Sequence, residues 1–228
     1  MLIYAHRGAS TDFLEGSKAA YLGAIAQGAD GFECDVRLTK DKQIICYHDS
    51  DTNRLSNIDL KISKSSYEEL KEKVDPYRLD ELLDLSISNK KDLVIESKHP
   101  VSTGLMIEKL VHKLLLSRKA DIKNSGIKIS LISFSYLATL RNLKSGYQTG
   151  YLVKNSNLIR FNPAPVIALS IEILRQNPGI VADQHKKGKT VFVWTVNEAS
   201  DLLLCSKEGV DMVVTDHPAI AIRYLKEI

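Results

Sequence analysis

The stretch Thr190-Val191-Phe192-Val193-Trp194-Thr195-Val196 is nearly continuous in apolar residues. This pattern is expected of a parallel β-strand covered on both faces, because a strand with one exposed face would alternate apolar with polar residues. Outward from it, strand-like runs alternate with helix-like segments along the whole chain, beginning with the apolar residues 2–5. About eight strand–helix units can be counted, which favours an α/β fold of the (β/α)₈ (TIM) barrel type over a doubly wound open sheet.

The chain has 228 residues, of which 44% are hydrophobic and 26% are charged, as in an ordinary globular protein. This length suits one barrel with short loops, so we expect residues 1–228 to form a single domain. Residues 49–78 are polar and weakly patterned, and they predict a small insertion after the second strand with one helix near residues 66–73. Ser17 and Asp80 are candidate helix caps. The first strand–helix turn carries neither a dinucleotide fingerprint nor a P-loop, which argues against a Rossmann enzyme.

Charge and cysteine content exclude several classes of protein. The formal net charge of +3 is too small and too mixed in sign to indicate nucleic-acid binding. No apolar run reaches the roughly 18–20 residues needed to cross a bilayer, and the first residues lack the pattern of a signal peptide. Cys34, Cys46 and Cys205 are too few and too scattered for a disulfide framework or a zinc site. We therefore expect a cytoplasmic protein with reduced thiols and no membrane span, and the sequence leaves its oligomeric state open.

Acidic residues collect where the predicted strands end, which is where barrel enzymes carry their active sites. Glu33 and Asp35 are two residues apart on one strand and point to the same side, while Cys34 points to the other side, toward the helices. Glu96 ends the next barrel strand and could supply a third carboxylate. Three oxygen ligands without clustered histidine or cysteine suit one hard divalent cation, Mg²⁺ or Ca²⁺. The alternative is that Glu33 and Asp35 are salt-bridged or exposed edge residues.

Basic and aromatic residues also lie at the strand ends. His6 and His48 are candidates for a general acid and a general base, because histidine titrates near neutral pH. Arg7 offers a fixed fork for phosphate oxygens, with a plain surface arginine as the alternative. Lys98 could bind phosphate, form a Schiff base or pair with a carboxylate, and nearby carboxylates favour a protonated, electrostatic lysine. Trp194, the single tryptophan, either floors a substrate pocket or fills the core. The other four histidines are assigned structural or exposed roles.

These residues together resemble a known family. The chain is similar to glycerophosphodiester phosphodiesterases in an ordered set of motifs: His6-Arg7-Gly8, then Glu15, Glu33-Cys34-Asp35, His48-Asp49 and Glu96-Ser97-Lys98. The similarity continues through Ser133-Phe134, Gly150-Tyr151-Leu152, Val193-Trp194-Thr195-Val196-Asn197 and Val214-Thr215-Asp216, so it covers essentially the whole chain. Each short motif is weak alone, but the ordered set is specific.

The resemblance implies a barrel hydrolase of lipid and glycerol metabolism. Such an enzyme cleaves a small-molecule glycerophosphodiester to glycerol 3-phosphate and an alcohol, using one divalent cation. By this similarity, the residues that would carry the activity are the acid–base pair His6 and His48, the metal ligands Glu33, Asp35 and Glu96, the phosphate-binding Arg7 and Lys98, and the supporting Glu15.

The mechanism we favour at this point has two steps. One histidine takes the proton of the glycerol 2-hydroxyl, which attacks phosphorus while the other histidine protonates the leaving alcohol. Water then opens the resulting cyclic phosphate with the histidine roles reversed. Direct attack by a metal-bound water is the mechanistic alternative.

Two alternative functions stay open, and the chain differs from the family pattern at one place. A lysophospholipase D-like or sphingomyelinase D-like enzyme would act on lipid phosphodiesters, and a non-catalytic barrel would only bind a phosphodiester or a partner protein. The departure is that Leu14 and Gly16 stand where the family usually has proline and asparagine on either side of Glu15. Gly16 has no side-chain amide, so the resemblance leaves the positioning of Glu15 open.

Overall fold

The structure, a computed structural model, describes residues 1–227 and is built around a ring of parallel strands. In chain order the strands are β1 (Leu2–His6), β2 (Gly31–Leu38), β3 (Ile44–Cys46), β4 (Asp92–Ser97), β5 (Ile129–Ser133), β6 (Gln148–Val153), β7 (Val166–Ser170), β8 (Thr190–Trp194) and β9 (Met212–Thr215). All except β3 pair in parallel in the order β1-β2-β4-β5-β6-β7-β8-β9. Because β1 pairs with both β2 and β9, these eight strands form a closed barrel, and the predicted (β/α)₈ fold is confirmed.

Helices connect the strands and surround the barrel. They are α1 (Lys18–Ala26), α2 (Asn53–Ser56), α3 (Tyr67–Val74), α4 (Leu79–Asn89), α5 (Met106–Ser117), α6 (Lys119–Ser125), α7 (Tyr136–Asn142), α8 (Ile171–Gln176), α9 (Ile180–Lys186), α10 (Ala199–Glu208) and α11 (Pro218–Glu227). Two 3-10 helices lie at Ile62–Lys64 and Ser156–Phe161. None of the helices formed by residues 1–227 combines the length and the apolar character needed to cross a membrane.

Strand side chains alternate between the barrel interior and the surrounding helices. In β8, Phe192 joins the cluster that fills the interior, together with Tyr4 and Met212. Its neighbours Val191 and Val193 belong to the outer cluster, which packs against helices. Burial of each large apolar side chain contributes about 1.5–3 kcal/mol, so both faces of the strand stabilise the fold. This two-sided burial is why β8 is nearly continuous in apolar residues.

The turn after β1 is held against the start of α1. Arg7 and Gly8 both have left-handed backbone conformations, with φ of 57° and 86°. Glycine is required at position 8, because a Cβ there would lie 2.5 Å from the backbone carbon of Ala20. The Ser17 hydroxyl accepts a hydrogen bond of 3.2 Å from the Ala20 amide and caps α1 as predicted. The close approach at Gly8 thus seats the turn that carries Arg7 directly on α1.

The segment predicted as an insertion, residues 49–78, follows β3, which pairs antiparallel with β2. It contains α2, one 3-10 helix and α3, and α3 coincides with the helix predicted near residues 66–73. The Ser66 hydroxyl caps α3 by accepting a hydrogen bond from the Glu69 amide. Buried residues of the insertion, including Ile62 and Leu70, form a small apolar cluster of their own with residues of the β3 hairpin. This cluster keeps the mostly polar segment folded against the barrel.

Two local features differ from the sequence prediction. The prediction that Asp80 caps a helix is wrong, because α4 begins at Leu79 with Arg78 as its N-cap residue. Asp80 lies in the first turn instead, where it pairs with Arg78 and interacts favourably with the helix dipole. The sequence analysis did not anticipate α6, whose single buried residue, Ile122, gives no helical periodicity.

Candidate active site

Most of the predicted site residues line one cavity at the carboxyl ends of the barrel strands. The cavity has a volume of about 130 Å³. The predicted residues along its wall are His6, Arg7, Glu33, His48, Glu96, Lys98 and Trp194. Asp35 is buried beneath this wall. A larger cavity of about 310 Å³ lies between residues 14–17 and 71–77, and Glu15 is the one predicted site residue on its lining. The predicted site residues therefore concentrate around the smaller cavity, at the end of the barrel where such folds carry their active sites.

The carboxylates of Glu33, Asp35 and Glu96 come together on the inner faces of β2 and β4. Asp35 is the register partner of Glu96, and one oxygen from each of the three carboxylates lies within 4.8 Å of the others. All three side chains are buried, while Cys34 packs among apolar residues on the outer face of β2. The spacing of Glu33 and Asp35 thus places both on the inner face. They are not exposed edge residues, but the salt-bridged alternative does apply to Asp35, which pairs with Arg7 and Lys98.

Two cations enter the carboxylate cluster. Arg7 Nε lies 2.8 Å from Asp35 Oδ2, and Lys98 Nζ lies 2.9 Å from Asp35 Oδ1 and 2.8 Å from Glu96 Oε1. Burial alone would raise the pKa of Asp35, but Lys98 and Arg7 outweigh it and lower that pKa to about 2. Burial would also lower the pKa of Lys98, but the two carboxylates raise it. Lys98 therefore stays an ammonium, which suits an electrostatic role better than Schiff-base chemistry.

The nearby cations stabilise the ionised forms of Glu33 and Glu96 less than that of Asp35. Burial, reinforced by the charge of Asp35, raises the pKa of Glu96 to about 7 and that of Glu33 well above its ordinary value. Glu33 Oε2 has no hydrogen-bond partner in the part of the chain that the structure describes, and it lies 3.9 Å from His6 Nε2. A buried carboxylate oxygen without a partner is unfavourable, so this position favours a further cation.

A divalent cation fits this donor set. Fully ionised, the three carboxylates together with Arg7 and Lys98 carry a formal charge of −1, which a divalent cation would change to +1. A positive cluster complements the single negative charge of a phosphodiester. Oxygen-only donors, all buried and one of them unpartnered, are the ligands that Mg²⁺ and Ca²⁺ prefer.

His6 is oriented by an aspartate from the far end of the chain. Its Nδ1 lies 2.7 Å from Asp216 Oδ1, and Asp216 also accepts hydrogen bonds from Ser10 Oγ at 3.0 Å and Asn197 Nδ2 at 2.6 Å. Burial opposes ionisation of Asp216, but the hydrogen bond from His6 and the other donors hold its pKa well below the usual range. An ionised Asp216 accepts, so Nδ1 of His6 donates and Nε2 is left for the cavity.

His48 is supported by its own neighbour in the sequence. Its Nδ1 lies 2.7 Å from Asp49 Oδ1, and its backbone carbonyl accepts hydrogen bonds from Arg37 Nε and Nη2. Burial lowers the pKa of His48 despite the charge of Asp35, so the imidazole is neutral near pH 7. Both histidines therefore have a carboxylate on Nδ1 and reach the same cavity, which is the arrangement expected of a general acid and a general base.

Glu15 holds the guanidinium of Arg7 from the side away from the carboxylate cluster. Its Oε1 accepts a hydrogen bond of 2.9 Å from Arg7 Nη1 and one of 2.6 Å from Arg54 Nη2. Gly16, next to Glu15, has a φ of 70°, and its amide donates to the Arg7 carbonyl at 2.8 Å. The segment with the unusual Leu14 and Gly16 thus places Glu15 against Arg7, and Arg54 from the insertion secures it.

Trp194 forms part of the cavity wall and also contacts the barrel core. Its indole Nε1 donates to the Ala168 carbonyl at 3.0 Å, and its ring packs edge-to-face on Phe134 with centroids 5.4 Å apart. The side chain is half-buried, so one part of the ring contacts the cavity. Both alternatives for Trp194 are therefore realised at once, since the residue lines the pocket and packs on the core.

The four remaining histidines lie outside the cavity lining. His99 Nε2 lies 2.6 Å from Glu108 Oε1, and His112 Nε2 lies 3.0 Å from Asn142 Oδ1. The other two, at positions 185 and 217, have polar partners near the protein surface. Their expected structural or exposed roles agree with these contacts.

Sequence reasoning missed three residues that support the site. Asp216 orients His6, Asp49 orients His48, and Arg54 braces Glu15 and Asp49. Both aspartates stood in the motifs quoted above, and a histidine that needs a fixed tautomer was a reason to seek a carboxylate partner for each. Arg54 gave no signal, because it lies in a polar segment where a charged side chain is ordinary.

Comparison with known proteins agrees with this geometry. The sequence model of the glycerophosphoryl diester phosphodiesterase family matches residues 6–220. The protein named "Probable glycerophosphodiester phosphodiesterase 1" of Mycobacterium tuberculosis is 28% identical over 99% of this chain and 92% of its own length. The crystal structure of a glycerophosphodiester phosphodiesterase from Thermotoga maritima superposes with a TM-score of 0.83 at 26% identity, covering 98% of this chain and 97% of its own. An Oleispira antarctica phosphodiesterase, solved in complex with the product sn-glycerol-3-phosphate, shares the fold with a TM-score of 0.80 at 23% identity, covering 99% and 97% of the two chains.

Proposed function

The chain belongs to the glycerophosphoryl diester phosphodiesterase family, and on that premise we propose that it hydrolyses glycerophosphodiesters to glycerol 3-phosphate and an alcohol. One observation carries the proposal: two histidines, each bound through Nδ1 to a carboxylate, reach one cavity beside three buried carboxylates and two cations. The Oleispira antarctica relative, whose complex holds sn-glycerol-3-phosphate, supports the same product class. A barrel that only bound its ligand would have no need of two oriented histidines.

Phosphate binding falls to Arg7 and Lys98 in this proposal. Both groups lie in the carboxylate cluster at the mouth of the barrel, with Arg7 held by Glu15 on its outer side. Glu33, Asp35 and Glu96 would hold one divalent cation, Mg²⁺ or Ca²⁺, which when bound withdraws charge from the phosphate oxygens. Positive groups aimed at these oxygens stabilise the negative charge that builds up on them in the transition state.

The histidines would move the protons in two steps. In the first step, one histidine takes the proton of the glycerol 2-hydroxyl, and the 2-oxygen bonds to phosphorus. The bond between phosphorus and the oxygen of the leaving alcohol breaks, and the other histidine donates its proton to that oxygen. In the second, the now neutral histidine takes a proton from water, the water oxygen bonds to phosphorus, and the ring opens as the protonated histidine returns a proton to the 2-oxygen. Each Nδ1 proton stays on its histidine throughout, hydrogen-bonded to Asp216 or Asp49, and the protons are exchanged at Nε2, so both histidines end as they began. Direct attack of water on the diester is the alternative.

The domain organisation and the cysteines bear on the remaining parts of the proposal. We propose that residues 1–228 act as a single barrel unit whose insertion, residues 49–78, contributes Arg54 as a brace of Glu15. Cys34, Cys46 and Cys205 are buried free thiols, which supports a reducing, cytoplasmic location.

The experiment that tests the function follows the product. Wild-type protein is incubated with glycerophosphoglycerol, and glycerol 3-phosphate is measured before chelation, after thorough chelation and after adding back Mg²⁺ or Ca²⁺. We expect activity that chelation removes and a divalent cation restores, and phosphorus NMR should show a transient cyclic glycerol phosphate. Full activity in chelated protein would refute the role of the carboxylate cluster, and no cyclic species in single turnover would favour direct attack.

Two variants test the acid–base pair. His6→Ala and His48→Ala should each lower kcat by about 10²–10⁴-fold, the usual contribution of a general acid or base. His185→Ala is the matched control, because His185 pairs with Asp211 outside the cavity lining and its loss should leave kcat unchanged. Wild-type rates in either test variant would remove that histidine from the mechanism.

A further inference from the structure

Lys154 is a cation of the cavity wall that the chemistry above does not use. It follows β6, lines the cavity, and places Nζ 5.2 Å from the ring centroid of Phe134 and 5.4 Å from that of Trp194. We call these three residues the cationic aromatic wall. Arg7 and Lys98 are paired with carboxylates, whereas Lys154 forms no ion pair within 4.0 Å with any residue from 1 to 227. The charge of Lys154 is therefore available to a ligand.

The sequence around this wall explains why the charge stays unpaired. Residues 122–171 contain no aspartate or glutamate, although 28 acidic residues in a chain of 228 would place about six in any stretch of 50. This stretch includes β5, β6 and β7. Three adjacent strands and their loops thus offer Lys154 no carboxylate, and its ammonium lies against aromatic rings instead.

The barrel places Lys154 across the cavity from the phosphate-binding side. In the closed ring of eight strands, β6 is four strands away from β1 and therefore opposite it. Arg7 and His6 lie at the end of β1, while the cationic aromatic wall belongs to β5, β6 and β8. A phosphodiester whose phosphate is held at Arg7 and Lys98 must direct one of its two alcohol arms toward this wall. All glycerophosphodiesters share the glycerol arm and differ in the second alcohol. The charge of Lys154 can therefore distinguish one substrate from another only through the second alcohol.

We propose that the cationic aromatic wall sets the substrate class of the enzyme, an inference that rests on the proposed function. The aromatic faces of Phe134 and Trp194 are groups that would otherwise attract a quaternary ammonium, and Lys154 already covers them with its own ammonium. A cationic alcohol such as choline or ethanolamine is repelled at this position. Neutral polyols and anionic alcohols, such as glycerol, inositol or phosphoglycerol, are accepted because their oxygens can take hydrogen bonds from Lys154 Nζ.

The test compares two substrates that differ in the charge of the second alcohol. Values of kcat/KM are measured for glycerophosphoglycerol and glycerophosphocholine with wild type, Lys154→Met and Lys154→Arg. We expect wild type to favour glycerophosphoglycerol, and we expect Lys154→Met to shift the ratio toward glycerophosphocholine by about ten-fold, the effect of one unit charge at this range in a partly solvated cavity. Lys154→Arg should keep the wild-type ratio, because it keeps the charge.

The matched control is Lys144→Met, which removes an exposed lysine from the same acid-free stretch in the loop between α7 and β6. This loop leads into the amino-terminal end of β6, away from the cavity, so the ratio should stay at the wild-type value. A ratio that is unchanged in Lys154→Met, or one that shifts equally in Lys144→Met, overturns the proposal.

Binding separates this proposal from the proposed function. In a His48→Ala background, which leaves the wall intact, calorimetry gives the Kd of each uncleaved diester with and without Lys154→Met. If wild type cleaves neither diester, the proposed hydrolysis is refuted, but a ten-fold shift in the ratio of Kd values still supports the charge selection. If wild type cleaves both and neither ratio moves, the selection is refuted while the hydrolysis stands.

Discussion

Replacing Asp216 with asparagine should disable His6 while preserving the shape of the site. Asp216 receives hydrogen bonds from His6 Nδ1, Ser10 Oγ and Asn197 Nδ2. The amide of Asn197 cannot turn round to suit a new partner, because its Oδ1 already accepts from Thr215 Oγ1 at 3.1 Å and from the residue 216 amide at 2.9 Å. An asparagine at 216 must therefore direct its own NH₂ either at another donor or at His6 Nδ1.

Both outcomes weaken the histidine. If the NH₂ meets Asn197, two donors face each other; if it meets His6, the imidazole must move its proton from Nδ1 to Nε2 and can no longer accept a proton from the cavity. A hydrogen bond to a charged group contributes about 1.5–3 kcal/mol. Since about 1.4 kcal/mol corresponds to a factor of ten in rate, we expect kcat/KM to fall about 10- to 150-fold in Asp216→Asn.

The assay is a double-mutant cycle on glycerol 3-phosphate release. Wild type, Asp216→Asn, His6→Ala and the double variant are compared, with thermal melting to verify that each is folded. Because Asp216 acts through His6, its replacement should have little further effect in the His6→Ala background. The reasoning is refuted if Asp216→Asn lowers the rate by the same factor in both backgrounds, or if it leaves the wild-type rate unchanged.

Three further perturbations test other parts of the structure. In chelator-treated protein, adding Mg²⁺ or Ca²⁺ should raise Tm in wild type and raise it less in Glu33→Gln, because a ligand that binds only the folded state stabilises it; equal rises would exclude Glu33 as a ligand. Gly8→Ala should lower the free energy of unfolding in urea by about 1–3 kcal/mol, because its Cβ would lie 2.5 Å from the Ala20 backbone at a φ of 86°. Gly188→Ala has a φ of 70° but no atom within 4 Å of the added Cβ, so it should cost only about 1 kcal/mol; equal losses would contradict the argument from close approach. Burial alone would raise the pKa of Glu15, but hydrogen bonds and charges from Arg54 and Arg7 outweigh it and lower that pKa. The ionised carboxylate therefore stabilises the folded state at pH values above the ordinary pKa of 4.5. This stabilisation is lost as the pH falls through the lowered pKa. Wild type should therefore melt at a higher Tm than Glu15→Gln at about pH 6, and the difference should shrink by about pH 3. At this partly exposed site the difference corresponds to no more than about 1 kcal/mol. A difference that does not change with pH would argue against the ion pairs of Glu15 with the two arginines.

The carboxylate cluster was predictable because it depends on strand geometry. A period of two residues is enough to put Glu33 and Asp35 on one face, and parallel strands bring their carboxyl ends to one edge. The register that sets Asp35 opposite Glu96 cannot be derived from either strand alone, but once β2 and β4 are neighbours the side chains on their inner faces lie close together. Local rules and topology together were therefore sufficient for this part of the site.

Other contacts depend on tertiary packing that no local pattern describes. Arg54 lies in the short exposed helix α2 and Lys154 in an exposed loop. A charged side chain is ordinary in both places, and the partners of each residue come from other parts of the chain. The side-chain directions of Arg54 and Lys154 depend on the residues that the folded barrel brings next to them. Asp80 shows the same limit in a helix, because a polar residue near a predicted start fits both the cap and the first turn.

The two histidines depend on the fold in different ways. His48 and Asp49 are neighbours in the sequence, so their contact needs little beyond local backbone geometry. His6 and its partner are 210 residues apart and meet only because β1 pairs with β9, with Ala5 opposite Thr215. His6 is the last residue of β1 and Asp216 directly follows β9, so a slip of one residue would turn their side chains to opposite faces. The proposed exchange of acid and base roles between His6 and His48 therefore requires a barrel closed in register. A chain with an open seam between β1 and β9 would keep His48 oriented but would leave His6 without its carboxylate partner, so we expect it to fail in the proposed reaction.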